Sequence, residues 1–225
     1  MYRACIFDLD GTLANTLYSI AFFSNEALKQ LGYPPIAAED YRKIVGDGAD
    51  MQIHRMLTVV NGGRPFTEQE AAKLKEVYFR LYEKDPVHLV REYPGMRETI
   101  EQLKKSDILT AVLSNKPDMW TKSIVSALFP KGSFELCFGQ QPGIPRKPSP
   151  AGALMIAERL QLEPKDILYI GDTNTDMKTG KSAGMDTAGA LWGFRSRAEL
   201  EENGAVYLLE SPKQILAVVH GKEES

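Results

Sequence analysis

Ala4-Cys5-Ile6-Phe7-Asp8-Leu9-Asp10-Gly11-Thr12 is the stretch on which the fold turns. An apolar run too short for a helix is stopped by a carboxylate, a second carboxylate follows after one residue, and a Gly-Thr turn closes the segment. A run of this kind bounded by turn residues reads as a buried strand, here Tyr2 to Phe7. Four later runs share its character: Ile108 to Leu113, Glu135 to Phe138, Ile167 to Ile170 and Thr187 to Leu191. Between them, except for the first two, lies one plausible helix. Strands alternating with helices predict an α/β fold, a Rossmann-like parallel sheet with helices on both faces.

Helix ends support this rhythm. Ser149-Pro150 supplies an N-cap and a first-turn proline before Ala153, Leu154, Ala157 and Leu160, and Gly184 stops the helical run Asn174 to Ala183. About a hundred residues separate the first two strands, far more than a crossover needs. That insert is helical: Leu17, Ile20, Ala21, Ala27, Leu28 and Leu31 share a face ended by Gly32, and Thr67 with Glu70 forms a capping box before Ala71, Leu74, Val77, Tyr78 and Leu81. The expected organisation is a core of residues 1–13 and 88–225 and a helical cap of residues 14–87.

The chain has 225 residues, 43% of them hydrophobic, and a formal net charge of −3 with both signs interspersed. It carries no basic footprint for nucleic acid and no polybasic membrane patch; a small soluble ligand is the expected partner. Cys5 and Cys137 each sit in an apolar run and read as small buried hydrophobes, which fits a reducing compartment. The first apolar run is too short for a signal-peptide core, and none elsewhere approaches the roughly 18 residues of a membrane span, so the expected location is cytoplasmic.

In an open parallel sheet, ligands bind beyond the carboxyl ends of the strands. Polar residues gather at that edge: Asp8 to Thr12 after the first run, Ser114-Asn115-Lys116 after the second, Arg146-Lys147-Pro148 after a Gly/Pro-rich loop, and Gly171-Asp172 to Asp176 after the fourth. Asp8, Asp10, Asp172 and Asp176 need a counter-charge, and hard carboxylate oxygens select Mg²⁺. Lys147, with Lys116 as a second candidate, can neutralise phosphoryl oxygens, while Ser114 and Asn115 can donate hydrogen bonds to them. With Asp8 as a nucleophile, Asp10 can protonate a leaving oxygen and then activate water. Gly11 allows a sharp turn, and Thr12 can orient a carboxylate.

Taken in order, Asp8-Leu9-Asp10-Gly11-Thr12, Ser114, Lys147 and Gly171-Asp172 with Asp176 resemble the haloacid dehalogenase superfamily across nearly the whole chain. The resemblance implies a nucleophile at Asp8, a general acid/base at Asp10, phosphate grips at Ser114 and Lys147, and Mg²⁺ held by Asp8, the backbone carbonyl of Asp10 and Asp172, with Asp176 in support. An aspartate at position 10 separates phosphatases from the dehalogenase branch. The helical insert resembles the cap of the phosphoglycolate phosphatase-like subgroup, which implies a cap that opens, closes and selects the substrate. Asn15 departs from the pattern, because relatives commonly carry aspartate there.

The reading is therefore a Mg²⁺-dependent phosphatase of a small phosphomonoester, with phosphoglycolate foremost. A sugar-phosphate, pyrophosphate or nucleotide phosphatase, a phosphomutase, and a non-catalytic binding protein are the alternatives. Asp176 and Asn115 can also be plain helix caps, and Lys116 a solvated loop lysine. His54, His88 and His220 share no ligand spacing, and Tyr41, Arg42, Asp47, His54 and Arg55, taken singly, read as solvated surface of the cap. Gly62-Gly63 resembles no phosphate-binding loop, since no strand precedes it.

Overall fold

The computed structural model describes residues 1–221. In chain order, β1 (Ala4–Phe7) and β2 (Ala14–Asn15) precede helices α1 (Leu17–Gln30), α2 (Tyr41–Ile44), α3 (Ala49–Val60) and α4 (Glu68–Tyr82). Then come β3 (Arg91–Glu92), α5 (Met96–Lys105), β4 (Leu109–Pro117), α6 (Asp118–Leu128), β5 (Leu136–Gln140) and α7 (Ala151–Leu160). The chain continues through β6 (Ile167–Gly171), α8 (Asn174–Ser182), β7 (Asp186–Ala190), α9 (Arg197–Glu202), β8 (Tyr207–Leu209) and α10 (Gln214–His220). Two compact units result: Met1–Asn15 together with the chain from Arg91 on, and Thr16–Val90.

The first unit is built on a six-stranded parallel sheet of order β5-β4-β1-β6-β7-β8. β1 is central and all four of its residues are buried, which is why it reads as an unbroken apolar run: helices cover both of its faces. Ile6, Leu113, Ile156 and Tyr169 pack in one cluster between sheet and helix. Truncating a side chain such as Ile6, which has no exposed surface, would cost about 2–5 kcal/mol.

Register aligns the chemistry. Phe7 stands beside Val112 on one side and Ile170 on the other, and the Asp8 N–H donates to Ile170 O at 2.9 Å. Asp8 just past β1, Asp172 just past β6 and Ser114 in the carboxyl-terminal half of β4 therefore lie on the same edge of three adjacent strands. A two-stranded antiparallel ribbon, Ala14 opposite Glu92 and Asn15 opposite Arg91, forms where the chain leaves this unit and where it returns.

Two features depart from the sequence expectation. β4 does not stop at Leu113 but runs on to Pro117 with an irregular register, because Pro117 still pairs with Gln140 of β5. β8 was not anticipated, since its short run at the sheet edge gives little periodicity to detect.

The second unit is helical. α1 buries Leu17, Ile20, Ala21, Phe23, Ala27 and Leu28 and ends before Gly32, whose φ is +78°. α1 and α3 pack on α4, with the Phe23 and Tyr82 rings 5.0 Å apart. The capping box at Thr67 forms in both directions: Thr67 N–H to Glu70 Oε2 at 2.7 Å and Glu70 N–H to Thr67 Oγ1 at 3.2 Å. Tyr41 corrects the surface reading, for it is fully buried and its hydroxyl donates to Asn25 Oδ1 at 3.0 Å. Asp47 and Arg55 pair with each other at 2.5 Å, and Gly62-Gly63 form the turn between α3 and α4, with positive φ at both. Among the described residues, no helix is long and apolar enough to cross a membrane.

Candidate active site

The turn after β1 is fixed by its own backbone. Leu9 O accepts from the N–H groups of Thr12, Leu13 and Ala14 at 3.3, 3.1 and 3.0 Å. Gly11 sits at φ +88°, and a Cβ there would overlap the Asp172 carboxylate, so both conformation and close approach require glycine. This turn brings Thr12 to Asp172, with Oγ1 donating to Oδ1 at 3.0 Å.

Asp8, Asp172 and Asp176 converge, each buried and offering an oxygen within 4.8 Å of the others. Lys147 enters this group from the loop before α7. Its Nζ lies 2.8 Å from Asp8 Oδ1 and 2.6 Å from Asp176 Oδ1. Asn115 holds the lysine's own peptide, donating from Nδ2 to Lys147 O at 3.1 Å and accepting from Lys147 N–H at Oδ1 at 2.9 Å. Asn115 is thus part of β4, and α6, whose N-cap is Pro117, has no side-chain cap. Asp176 does two jobs: Oδ2 accepts from Thr173 N–H at 3.1 Å in the capping box of α8, while Oδ1 meets Lys147.

The Asp10 carboxylate is engaged elsewhere. Lys116 Nζ stands 3.0 Å from its Oδ1 and 3.2 Å from its Oδ2. Lys116 is buried, which excludes the reading of a solvated loop lysine. Ser114, also buried, accepts the Lys116 N–H at Oγ at 3.1 Å.

Three residues escaped the sequence reading. The Phe194 N–H donates to Asp172 Oδ2 at 2.8 Å; Gly193 leaves no room for a Cβ beside the same carboxylate; and Trp192 Nε1 donates to Thr12 O at 3.0 Å. They lie just past β7, so the strand-end rule applied to the fifth apolar run would have found them.

Electrostatics follow from burial. Desolvation, then the Asp176 charge, pushes the Asp8 carboxyl up to about 7 despite the pull of Lys147. Desolvation, then Asp176 and Asp8, carries Asp172 well above the ordinary carboxylate range, against the Phe194 and Thr12 hydrogen bonds. Burial alone would lower the Lys147 ammonium, but the charges of Asp176 and Asp8 outweigh it and hold it well above the usual lysine range. One ammonium faces three buried carboxylates, a deficit of positive charge that a divalent cation would remedy. The donor set fits such an ion: all ligand atoms are hard oxygens, and the Asp172 carboxylate is oriented by Thr12 at Oδ1 and by Phe194 at Oδ2.

A phosphoglycolate phosphatase of Aquifex aeolicus is 35% identical over 192 residues, 85% of this chain and 86% of that one. One from Mannheimia succiniciproducens is 30% identical over 215 residues, covering 95% and 96%. The crystal structure of a predicted phosphoglycolate phosphatase from Haemophilus somnus 129PT superposes with a TM-score of 0.89 at 28% identity, covering 96% of this chain and 97% of that one. Residues 5–190, from within β1 to the end of β7, match a single family description, and with that span this chain belongs to the haloacid dehalogenase-like hydrolase family.

Proposed function

We propose that the protein is a phosphoric monoester hydrolase that transfers the phosphoryl group of a small metabolite, phosphoglycolate foremost, to Asp8 and then to water. The observation that carries this reading is the Lys147 ammonium bridging Asp8 and Asp176 next to Asp172. A carboxylate can attack a phosphate dianion only where positive charge screens their repulsion, and Lys147 supplies part of it.

In the proposed sequence an Asp8 carboxylate oxygen bonds to phosphorus and the ester oxygen departs, taking a proton from Asp10. Asp10, now a carboxylate, removes a proton from water as the water oxygen bonds to phosphorus. The acyl-phosphate bond breaks, orthophosphate leaves and Asp8 is regenerated. Ser114 serves the phosphoryl oxygens: its Oγ accepts from Lys116, and a hydroxyl that accepts still has its hydrogen to donate. Asn115 acts through Lys147, whose peptide it fixes. Asp8, the Asp10 carbonyl and Asp172 are the proposed holders of Mg²⁺, which when bound would supply the positive charge that Lys147 leaves lacking.

Phosphoglycolate is favoured because relatives of that activity align with nearly the whole chain. Measuring Mg²⁺-dependent phosphate release across a panel of phosphoglycolate, sugar phosphates, pyrophosphate and nucleotides tests the choice. Phosphoglycolate should give the highest kcat/KM; isomer interconversion without phosphate release would replace hydrolase by mutase.

A further inference from the structure

Lys116 has no part in the chemistry set out above, yet it is built into the site as firmly as Lys147. Its side chain is 5% exposed. Its backbone is clamped on both sides, the N–H by Ser114 Oγ at 3.1 Å and the carbonyl by Thr121 Oγ1 at 3.2 Å. Sheet register explains its reach. The last pairing of β4 with β1 is Val112 opposite Phe7; β4 runs on past it to Pro117, and this extension carries Lys116 to Asp10 in the turn after β1.

The two lysines divide the carboxylates between them. Lys147 takes Asp8 and Asp176; Lys116 takes Asp10 with both oxygens in range, at 3.0 and 3.2 Å. An ammonium contacting both oxygens of one carboxylate restrains its rotation, and a pair this buried is costly to break because each partner would be left as an uncompensated charge. Asp10, on a tight turn with its side chain 18% exposed, would otherwise be free to turn toward solvent.

We propose that Lys116 is the positioning residue for Asp10, holding the proton-transfer carboxylate in one rotamer beside the phosphoryl site. This rests on the phosphatase reading. It gives Lys116 a role distinct from gripping phosphate, and the distinction is measurable: a grip contributes to phosphate affinity, whereas a positioner acts only through the group it positions.

The test is a double-mutant cycle in the full chain with Mg²⁺, using p-nitrophenyl phosphate so that the outcome does not depend on the natural substrate. Lys116→Met should lower kcat by about tenfold or more while KM and inhibition by orthophosphate stay within about threefold, since the loss falls on proton transfer. In an Asp10→Asn background the same substitution should cost less than about threefold more. Lys116→Arg, which keeps the charge, should recover part of kcat; if Lys116→Met does not fold, Lys116→Gln carries the same cycle. An unchanged kcat, a loss repeated in full on Asp10→Asn, or weakened orthophosphate inhibition overturns the assignment. No turnover by the unsubstituted protein is the separate failure of the phosphatase reading, and takes both down.

Discussion

Asn115 and Lys147 hold each other through a reciprocal pair of hydrogen bonds, amide to peptide, at 3.1 and 2.9 Å. The strand β4 thereby fixes the loop that delivers the lysine to Asp8. Asn115→Ala should leave a buried N–H and C=O of Lys147 unsatisfied and cost about 2–4 kcal/mol of stability. It should also lower kcat by at least about tenfold, because a misplaced ammonium no longer screens Asp8. Urea unfolding and steady-state kinetics on one preparation check both; full activity with lost stability would limit Asn115 to scaffolding.

Gly193 leaves no room for a side chain at the Asp172 carboxylate. Gly193→Ala should displace Asp172 from Thr12 and Phe194 and weaken Mg²⁺ binding by about 10–100-fold, the usual penalty for disturbing groups that orient a ligand. A Mg²⁺ titration of activity reads this as a higher half-saturating concentration. An unshifted titration would show that Asp172 is not a metal ligand.

Two capping boxes offer an internal comparison. Thr67 caps α4 at the surface, whereas Thr173 caps α8 with Asp176, the partner of Lys147. Each Thr→Ala change should cost about 1 kcal/mol of stability. Only Thr173→Ala should also lower kcat, since it frees Asp176 to move. Equal kcat in the two variants would contradict the link between the α8 cap and the site.

Burial and the Asp176 charge raise Asp8 to about 7. Without metal, folded Asp8 therefore keeps a proton between about pH 4 and 7, where the unfolded chain has lost it, so the folded state binds more protons and stability falls as pH rises through that window. Metal binding requires the deprotonated form. The rise in Tm on adding about 5 mM Mg²⁺ should accordingly be larger at about pH 8 than at about pH 5.5. A gain independent of pH would contradict carboxylate ligation by Asp8.

Much of the fold was legible because its signals are local. The five runs are short, apolar and stopped by polar residues, as parallel strands flanked by helices read. Asp8 to Thr12 and Gly171 to Asp176 were conspicuous because their groups are adjacent in sequence. What stayed hidden depends on contacts between distant residues. Nothing local distinguishes Lys116, held by Asp10, from a solvated lysine, and the link between Asn115 and Lys147 spans 32 positions. Trp192 and Phe194 act on the site through an indole N–H and a backbone N–H, and the second of these donors carries no residue identity. Tyr41 reads as surface in the sequence because its burial comes from packing within the helical unit.

The central claim is that Asp8 takes the phosphoryl group. The direct measurement is acid quenching of the protein during turnover of a ³²P-labelled substrate, followed by peptide mapping. The account predicts an acid-stable, hydroxylamine-labile phosphoryl group on the peptide containing Asp8, and neither label nor turnover in folded Asp8→Asn. Label on another residue, or retained turnover in Asp8→Asn, would contradict it.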